Sequence, residues 1–209
     1  QSAYNAAKFG VRGFTDAPVS DATVTSVLEA ARFAPSGGNR QPWRVAVVKD
    51  AALRQTMAGL MRPEWHEYCG ANAVGKRPFV MGRSIDAPPV AVPNALIDEI
   101  ATVPVVLAIA ANLQEIAIMD GNLERPPVVG GASIYPFCWS ILLAARTHGL
   151  GGVLTTFLSR AEPAPAPALG LPTDLALVAT IFLGVPTHQN TKLRRNPERP
   201  GTSAAWGRH

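Results

Sequence analysis

Val24, Val27, Leu28 and Ala31 recur at helical spacing, so Asp21 to Phe33 is expected to be a helix with Ser20 as its N-cap. Trp43 to Val48 reads as a buried strand, and a second helix is expected from about Ala51 to Met61. Val103 to Ala111 is an unbroken apolar run rich in valine and isoleucine, which suits a central strand buried on both faces. The longest helix is expected over Ser133 to His148, where Ile134, Phe137, Cys138, Ile141, Leu142 and Ala145 share one face. Pro136 fits only its first turn, and Gly149 suits a left-handed C-terminal cap. Strands are expected at Gly152 to Phe157 and Leu175 to Leu183, on either side of the proline–alanine stretch Ala161 to Ala168.

Two segments break this pattern. Across residues 62–98, Pro63, Pro78, Pro88, Pro89 and Pro93 leave room for only short helices, so an irregular insert or lid is expected there. The tail, residues 186–209, carries basic charge and Trp206 without periodicity. It reads as an extended arm that lies on something else, a partner subunit being the natural surface. No internal repeat interrupts the alternation of helices and strands. One domain of mixed α and β structure, residues 1–209, is expected.

Composition narrows the classes. With 47% hydrophobic residues in 209, the chain can fill a core that buries roughly 70% of its unfolded surface, which excludes disorder. The longest apolar run falls far short of the roughly 20 residues of a membrane-spanning helix, so no membrane partner is expected. The chain opens on Gln1 rather than Met, so an N-terminal piece is expected to be missing, and no secretory signal is visible. Cys69 and Cys138 make no disulfide framework, which suits a cytoplasmic location. The net charge of +4, on a chain only 16% charged, is too thin for a nucleic-acid surface. Its excess gathers at Lys192, Arg194, Arg195 and Arg199, a cluster sized for a small anion.

Several motifs are absent. Gly149-Leu150-Gly151-Gly152 begins like a dinucleotide loop, but Leu154 stands at the third glycine position and a strand follows. There is no phosphate-loop lysine motif and no Gly-x-Ser-x-Gly elbow. His66 and Cys69 lack a second ligand pair, so no metal is expected. Cys138 reads as packing and His148 as a cation near a helix C-terminus. With no catalytic side chain standing out, a bound cofactor is expected to carry any chemistry.

Four segments remain: Lys8 to Phe14, Ala34 to Trp43, Gly149 to Thr156, and Lys192 to Arg194. Singly, the first is a turn with solvated cations, the second a polar loop with glycines, and the third a helix cap with a threonine-rich strand. In this order they resemble the flavin-dependent nitroreductase family, most specifically through Pro35-Ser36-x-x-Asn39-x-Gln41-Pro42-Trp43. The resemblance runs from about Lys8 to Trp206 and is weakest over residues 60–100. It implies an α+β fold: a three-layer α/β/α domain with a mixed, mainly antiparallel sheet and a C-terminal arm exchanged with the dimer partner. It further implies a homodimer with two FMN molecules at the interface.

Carried over by position, the resemblance places Lys8 where the family usually has an arginine near the FMN phosphate, and Gly10 where it has a serine. Arg12 matches the basic residue near flavin N1 and O2, and Lys192 and Arg194 match the phosphate-binding Lys-x-Arg pair. Pro35, Ser36, Gly37 and Asn39 match the loop that lies on the flavin from the other subunit. Leu154, Thr155 and Thr156 match the segment whose backbone faces N5. The chemistry agrees, because a phosphate of about −1.5 to −2 charge is neutralised by two or three cations. The implied activity is reduction of nitroaromatic or quinone acceptors by NADPH or NADH in a ping-pong cycle. A deiodinase-like or flavin-consuming relative, and a flavin-binding protein without turnover, are the alternatives. Within residues 62–98, Trp65, Tyr68 and Phe79 are expected to stack on a small aromatic acceptor, and Lys76 and Arg77 to meet the 2′-phosphate of NADPH.

Overall fold

The structure, a computed structural model, describes residues 13–79 and 86–188. Helix α1 spans Asp21–Ala31, and the Ser20 hydroxyl accepts from Thr23 N at 3.1 Å as its N-cap. A short 3-10 turn, Gly37–Asn39, leads into strand β1, Trp43–Val47. Helix α2 follows over Ala51–Ala73, opened by Asp50, whose carboxylate accepts from Leu53 N at 2.6 Å.

The length of α2 corrects the expectation that residues 62–98 are irregular from their start. Pro63 sits inside the helix, where a proline costs about 3 kcal/mol through a lost hydrogen bond and a ring clash. Burial offsets it: Trp65, Gly70 and Ala71 are all buried beyond the proline. Residues 86–94 lie back along this half of the helix. Trp65 Nε1 donates to Val92 O at 2.7 Å, and Val90 N donates to His66 O at 3.0 Å. A side chain at Gly70 would overlap the Pro88 carbonyl, so the two backbones meet there.

The remaining elements are α3 (Ala95–Asp98), β2 (Val105–Asn112), α4 (Tyr135–Thr147), β3 (Gly151–Thr155), α5 (Phe157–Arg160), α6 (Pro165–Leu169) and β4 (Leu175–Gly184). Pro136 lies in the first turn of α4, and Gly149 has φ 73° just past its end. Strand β3 stops short of the expected Phe157, which instead opens α5. His148 ends α4 with its Nε2 3.2 Å from Ser26 Oγ.

The four strands run in the order β1-β2-β4-β3, and each neighbouring pair is antiparallel. Alternation along β2 divides the core. Val105, Leu107, Ile109 and Ala111 face α1 and α4, while Val106 and Ala108 face α2 and α5. The result is a three-layer α/β/α domain. A register shift between Ile109 and Ala110 leaves Val178 as an extra residue in β4. Leu177 therefore turns toward α2, while Ala179, Ile181 and Leu183 face the other layer. At β3, a Cβ on Gly152 would sit 2.5 Å from Leu142 Cδ2 and 2.8 Å from Leu183 Cδ2. Its bare backbone lets α4 close on the sheet edge.

A buried cation ties the exit of β1 to the approach to β2. Arg54 on α2 donates through Nε to Val48 O (2.8 Å), and through Nη1 to Val103 O (2.7 Å) and Ala101 O (3.2 Å). Its acceptors are carbonyls, and burial lowers its pKa from the ordinary arginine value. Arg54→Leu strands these carbonyls, and should lower the unfolding free energy by about 3 kcal/mol in urea titrations. A loss under about 1 kcal/mol would show that the carbonyls find other partners.

Candidate active site

The edge position of β3 leaves one side of its backbone turned away from the sheet. Its last residues, Leu154 and Thr155, together with Thr156, line a cleft of about 360 Å³ with Tyr68, Phe79, Phe157 and Arg160. Tyr68 arrives there because α2 continues past Pro63. Trp65, Tyr68 and Phe157 pack at 5.7–5.9 Å between ring centroids, with Phe157 edge-on to both. Phe79 stacks on Tyr68 at 6.2 Å and holds φ 60°, a left-handed conformation seldom taken by a bulky residue.

Arg160 closes this wall. Its guanidinium lies 4.5 Å over the Phe79 ring. Nε stands 3.1 Å from Glu64 Oε2, and Nη2 stands 3.3 Å from both Glu67 oxygens. The Glu64 oxygen lies off the hydrogen-bonding direction, so charge rather than a directed bond holds it. Burial pushes the Glu64 carboxyl above its ordinary value, against the opposing pull of Arg160.

A second cleft, of about 260 Å³, is lined by Pro35, Ser36, Gly37, Ala117, Met119, Val129, Ala132 and Ser133. The loop at its rim is wound tightly, with left-handed φ at Gly38 (60°), Asn39 (52°) and Gln41 (49°). Ser36 Oγ accepts from Gln41 N at 3.0 Å, and Gly37 N donates to Ser133 Oγ at 3.0 Å. A Cβ on Gly37 would lie 2.8 Å from Ala117 Cβ, so only glycine fits. Trp43, just past this loop, stacks on Phe137 of α4 at 4.5 Å and 4°.

Asp120 holds the opposite rim. Its carboxylate accepts from Val128 N (2.8 Å), Val129 N (3.2 Å) and Arg125 Nη1 (2.7 Å). The Val128 amide is the main cause of a carboxyl pKa below the ordinary aspartate value, and Arg125 and Val129 reinforce it.

The structure thus gathers Leu154, Thr155 and Thr156 in one cleft and Pro35, Ser36 and Gly37 in the other, with no lining residue shared. Asn39 lines neither cleft; its Oδ1 accepts from Gln41 Nε2 at 3.2 Å. Lys76 and Arg77 are exposed beyond α2 and line neither cleft, with Lys76 Nζ donating to Asp86 O at 3.0 Å. Lys8, Gly10, Arg12, Lys192 and Arg194, and most of the arm from Pro186, lie outside the described residues. The chain just inside them is informative. Thr15 N donates to Val185 O (2.8 Å) and Thr187 N to Gly13 O (3.0 Å), so both ends run side by side past Gly151. Sequence reasoning missed Arg160, Asp120 and Ser133. A cation one turn beyond the Leu154–Thr156 segment was the available signal for Arg160; the other two act through partners with no local pattern.

Among the described residues no three His, Cys, Asp or Glu side chains gather to hold a metal, and no helix is long and apolar enough to cross a membrane. Burial pushes both cysteine thiols, Cys69 and Cys138, up to about 11, far from a reactive thiolate.

The profile of the Nitroreductase family matches residues 9–185. The chain belongs to the nitroreductase family. A nitrobenzene nitroreductase of Ectopseudomonas oleovorans is 30% identical over 190 residues, 83% of this chain and 81% of that protein. An NADH dehydrogenase of Thermus thermophilus is 29% identical over 194 residues, 90% of this chain and 87% of its own. The NADPH:FMN oxidoreductase of Vibrio harveyi, solved with NAD+, shares the fold at TM-score 0.60 and 20% identity, over 88% of this chain and 67% of that one.

Within this nitroreductase-family fold, the Asp120 clasp is open to a pH test. A carboxyl whose folded pKa is depressed stabilises fully above its unfolded value of about 3.9 and loses that contribution as pH falls through the folded pKa. Asp120→Asn should therefore flatten the acid limb of the stability curve between about pH 5 and pH 3. Melting temperatures across that range would check it; parallel curves for variant and wild type would contradict the clasp.

Proposed function

We propose that the chain is an FMN-dependent oxidoreductase that takes hydride equivalents from NADPH or NADH and passes electrons to a nitroaromatic or quinone acceptor. The observation that carries this reading is the cleft at the end of β3. The residues matching the family's flavin segment, Leu154, Thr155 and Thr156, open into an aromatic-walled space of about 360 Å³, within the range of small-molecule sites. The residues present fit a flat tricyclic ring. β3 offers a backbone edge and Tyr68, Phe79 and Phe157 offer ring surface.

FMN, when bound, supplies the hydride-accepting atom and the route to the acceptor. The chain's part is to hold and orient. In this reading the backbone of Leu154 to Thr156 faces the ring, and Arg12 stabilises negative charge that develops on reduction. Lys8, Lys192 and Arg194 neutralise the phosphate, with Gly10 offering a backbone amide. Gly13–Thr15 and Val185–Thr187, the described residues nearest in sequence to these two segments, run side by side, which supports this reading. In this reading nicotinamide and acceptor use one face of the bound flavin in turn, a ping-pong order. In this reading Lys76 and Arg77, exposed outside the cleft, meet the 2′-phosphate of NADPH. We assign the protein to the cytoplasm, which suits its two free cysteines.

The functional unit in this reading is a homodimer. Tyr135, Trp139 and Leu143 lie one turn apart on the outer face of α4, and Trp139 is 61% exposed. Met119, 89% exposed, and Val128 extend the apolar surface beside the Pro35–Gly37 cleft. A patch of this kind marks an interface. A two-fold partner across it would bring its Pro35–Asn39 loop to the ring held by Leu154–Thr156.

Two measurements test the proposal. Denaturation should release FMN, identifiable by chromatography, and NADPH or NADH should bleach the bound flavin in stopped flow; FAD, or no bleaching, would overturn it. Trp139→Glu should give a monomer by sedimentation and lose flavin in parallel, because obligate interfaces bury on the order of 2,000 Å² or more. A dimeric, fully yellow Trp139→Glu protein would remove α4 from the interface.

A further inference from the structure

The turn that leads into α4 reaches back to the loop before β1 through one hydrogen bond. Ser133, 4% exposed, accepts through Oγ from Gly37 N at 3.0 Å. The segment after β2 meets the same glycine from another side, since a Cβ on Gly37 would lie 2.8 Å from Ala117 Cβ. These two supports interlock: a Cβ on Gly130 would come within 3.2 Å of Ile118 Cγ1. Asp120 fastens them to each other. It stands two positions after Ile118, and its buried carboxylate takes the amides of Val128 and Val129, where the turn Val129–Ser133 begins.

Gly37 opens the 3-10 turn Gly37–Asn39, and the left-handed residues Gly38, Asn39 and Gln41 follow from it. Bonds inside the loop keep its shape. Asn39 N donates to Ser36 O (2.9 Å), Arg40 N to Gly37 O (3.3 Å) and Gln41 N to Ser36 Oγ (3.0 Å). None of these three says where the loop stands. The bond to Ser133 does, because it ties the loop to a segment 96 positions away. We propose that Ser133 and Asp120 are positioning residues for the flavin: Ser133 places the Pro35–Asn39 loop, Asp120 places Ser133, and the loop so placed lies on the ring held by the partner subunit. This rests on the oxidoreductase reading above and makes the Asp120 segment of one subunit a control on the flavin of the other. Both residues act through the backbone of Gly37. Without the Ser133 oxygen that amide loses its acceptor, and the loop shifts toward water with its internal bonds intact.

Hydrogen exchange at the Gly37 amide reads the support directly. Ser133→Ala should speed it about tenfold, the worth of roughly one hydrogen bond. Ser133→Thr, which keeps the hydroxyl, should restore protection, and Asp120→Asn should speed Gly37 together with Val128 and Val129. The flavin reads the consequence. In the full chain loaded with FMN, Ser133→Ala should raise the FMN dissociation constant about tenfold and weaken the visible circular dichroism of the bound ring. Arg54→Leu is the control, since it destabilises the fold elsewhere; below its melting transition it should leave both flavin readouts unchanged. Undiminished protection of Gly37 in Ser133→Ala would overturn the proposal, as would an equal loss of FMN affinity in Arg54→Leu. Unmoved Gly37 exchange in Asp120→Asn would overturn the part given to Asp120. The oxidoreductase reading fails separately. A chain that takes up no FMN yet shows the coupled exchange would refute the redox assignment and keep the Asp120–Ser133–Gly37 linkage. A flavin-loaded, reducible chain whose Ser133→Ala variant binds FMN like wild type would refute the positioning role alone.

Discussion

The burial of Trp65 is the constraint on which the working end of this molecule depends. Its indole is sealed under residues 86–94 and donates to Val92 O, and that anchorage carries α2 past a proline that would otherwise end it. Glu64, Glu67 and Tyr68 are placed only because the helix continues. They in turn position Arg160 and Phe79 against the end of β3. A local penalty in the helix is thus exchanged for a wall of the cleft. The contact between Gly70 and the Pro88 backbone keeps the overlying segment at a fixed distance.

The two clefts lie apart within one chain, and the proposed homodimer would join them across its interface. Leu154 to Thr156 and Pro35 to Gly37 sit in separate clefts, each shaped by its own side of the fold. The first belongs to the sheet edge and α2; the second belongs to the loop before β1 and the segment clasped by Asp120. The exposed face of α4 runs between these regimes. Its apolar residues stand exposed among the described residues, and the proposed homodimer would cover them with a second copy.

Much of the fold was legible in the sequence because it rests on periodicity. Val24, Val27 and Ala31 announce α1, the unbroken run to Ala111 announces the central strand, and Gly149 marks the end of α4. These signals are local. The second half of α2 was not legible, since its prolines are a local signal outweighed by burial that only the fold supplies. The site divides in the same way. Pro35 to Gly37 and Leu154 to Thr156 stand in contiguous motifs, and each trio lines a cleft. Arg160 meets Glu67 across 93 positions, and Asp120 acts on amides eight and nine residues ahead. Such partnerships leave no spacing to read. Lys76 and Arg77 drew notice for their charge alone, and charge does not say where a side chain will stand.

The extra residue at Val178 also governs what lengths of β4 the fold accepts. Everything before it, from Leu177 back to Leu175, is one step out of phase with Ala179, Ile181 and Leu183. Leu177 fills the α2 layer because of that offset. Losing or gaining a single residue here would turn the early part of the strand inside out, whereas a change of two would restore its faces. Drift in this strand is therefore counted in pairs, and the bulge acts as the phase mark against which the count is kept.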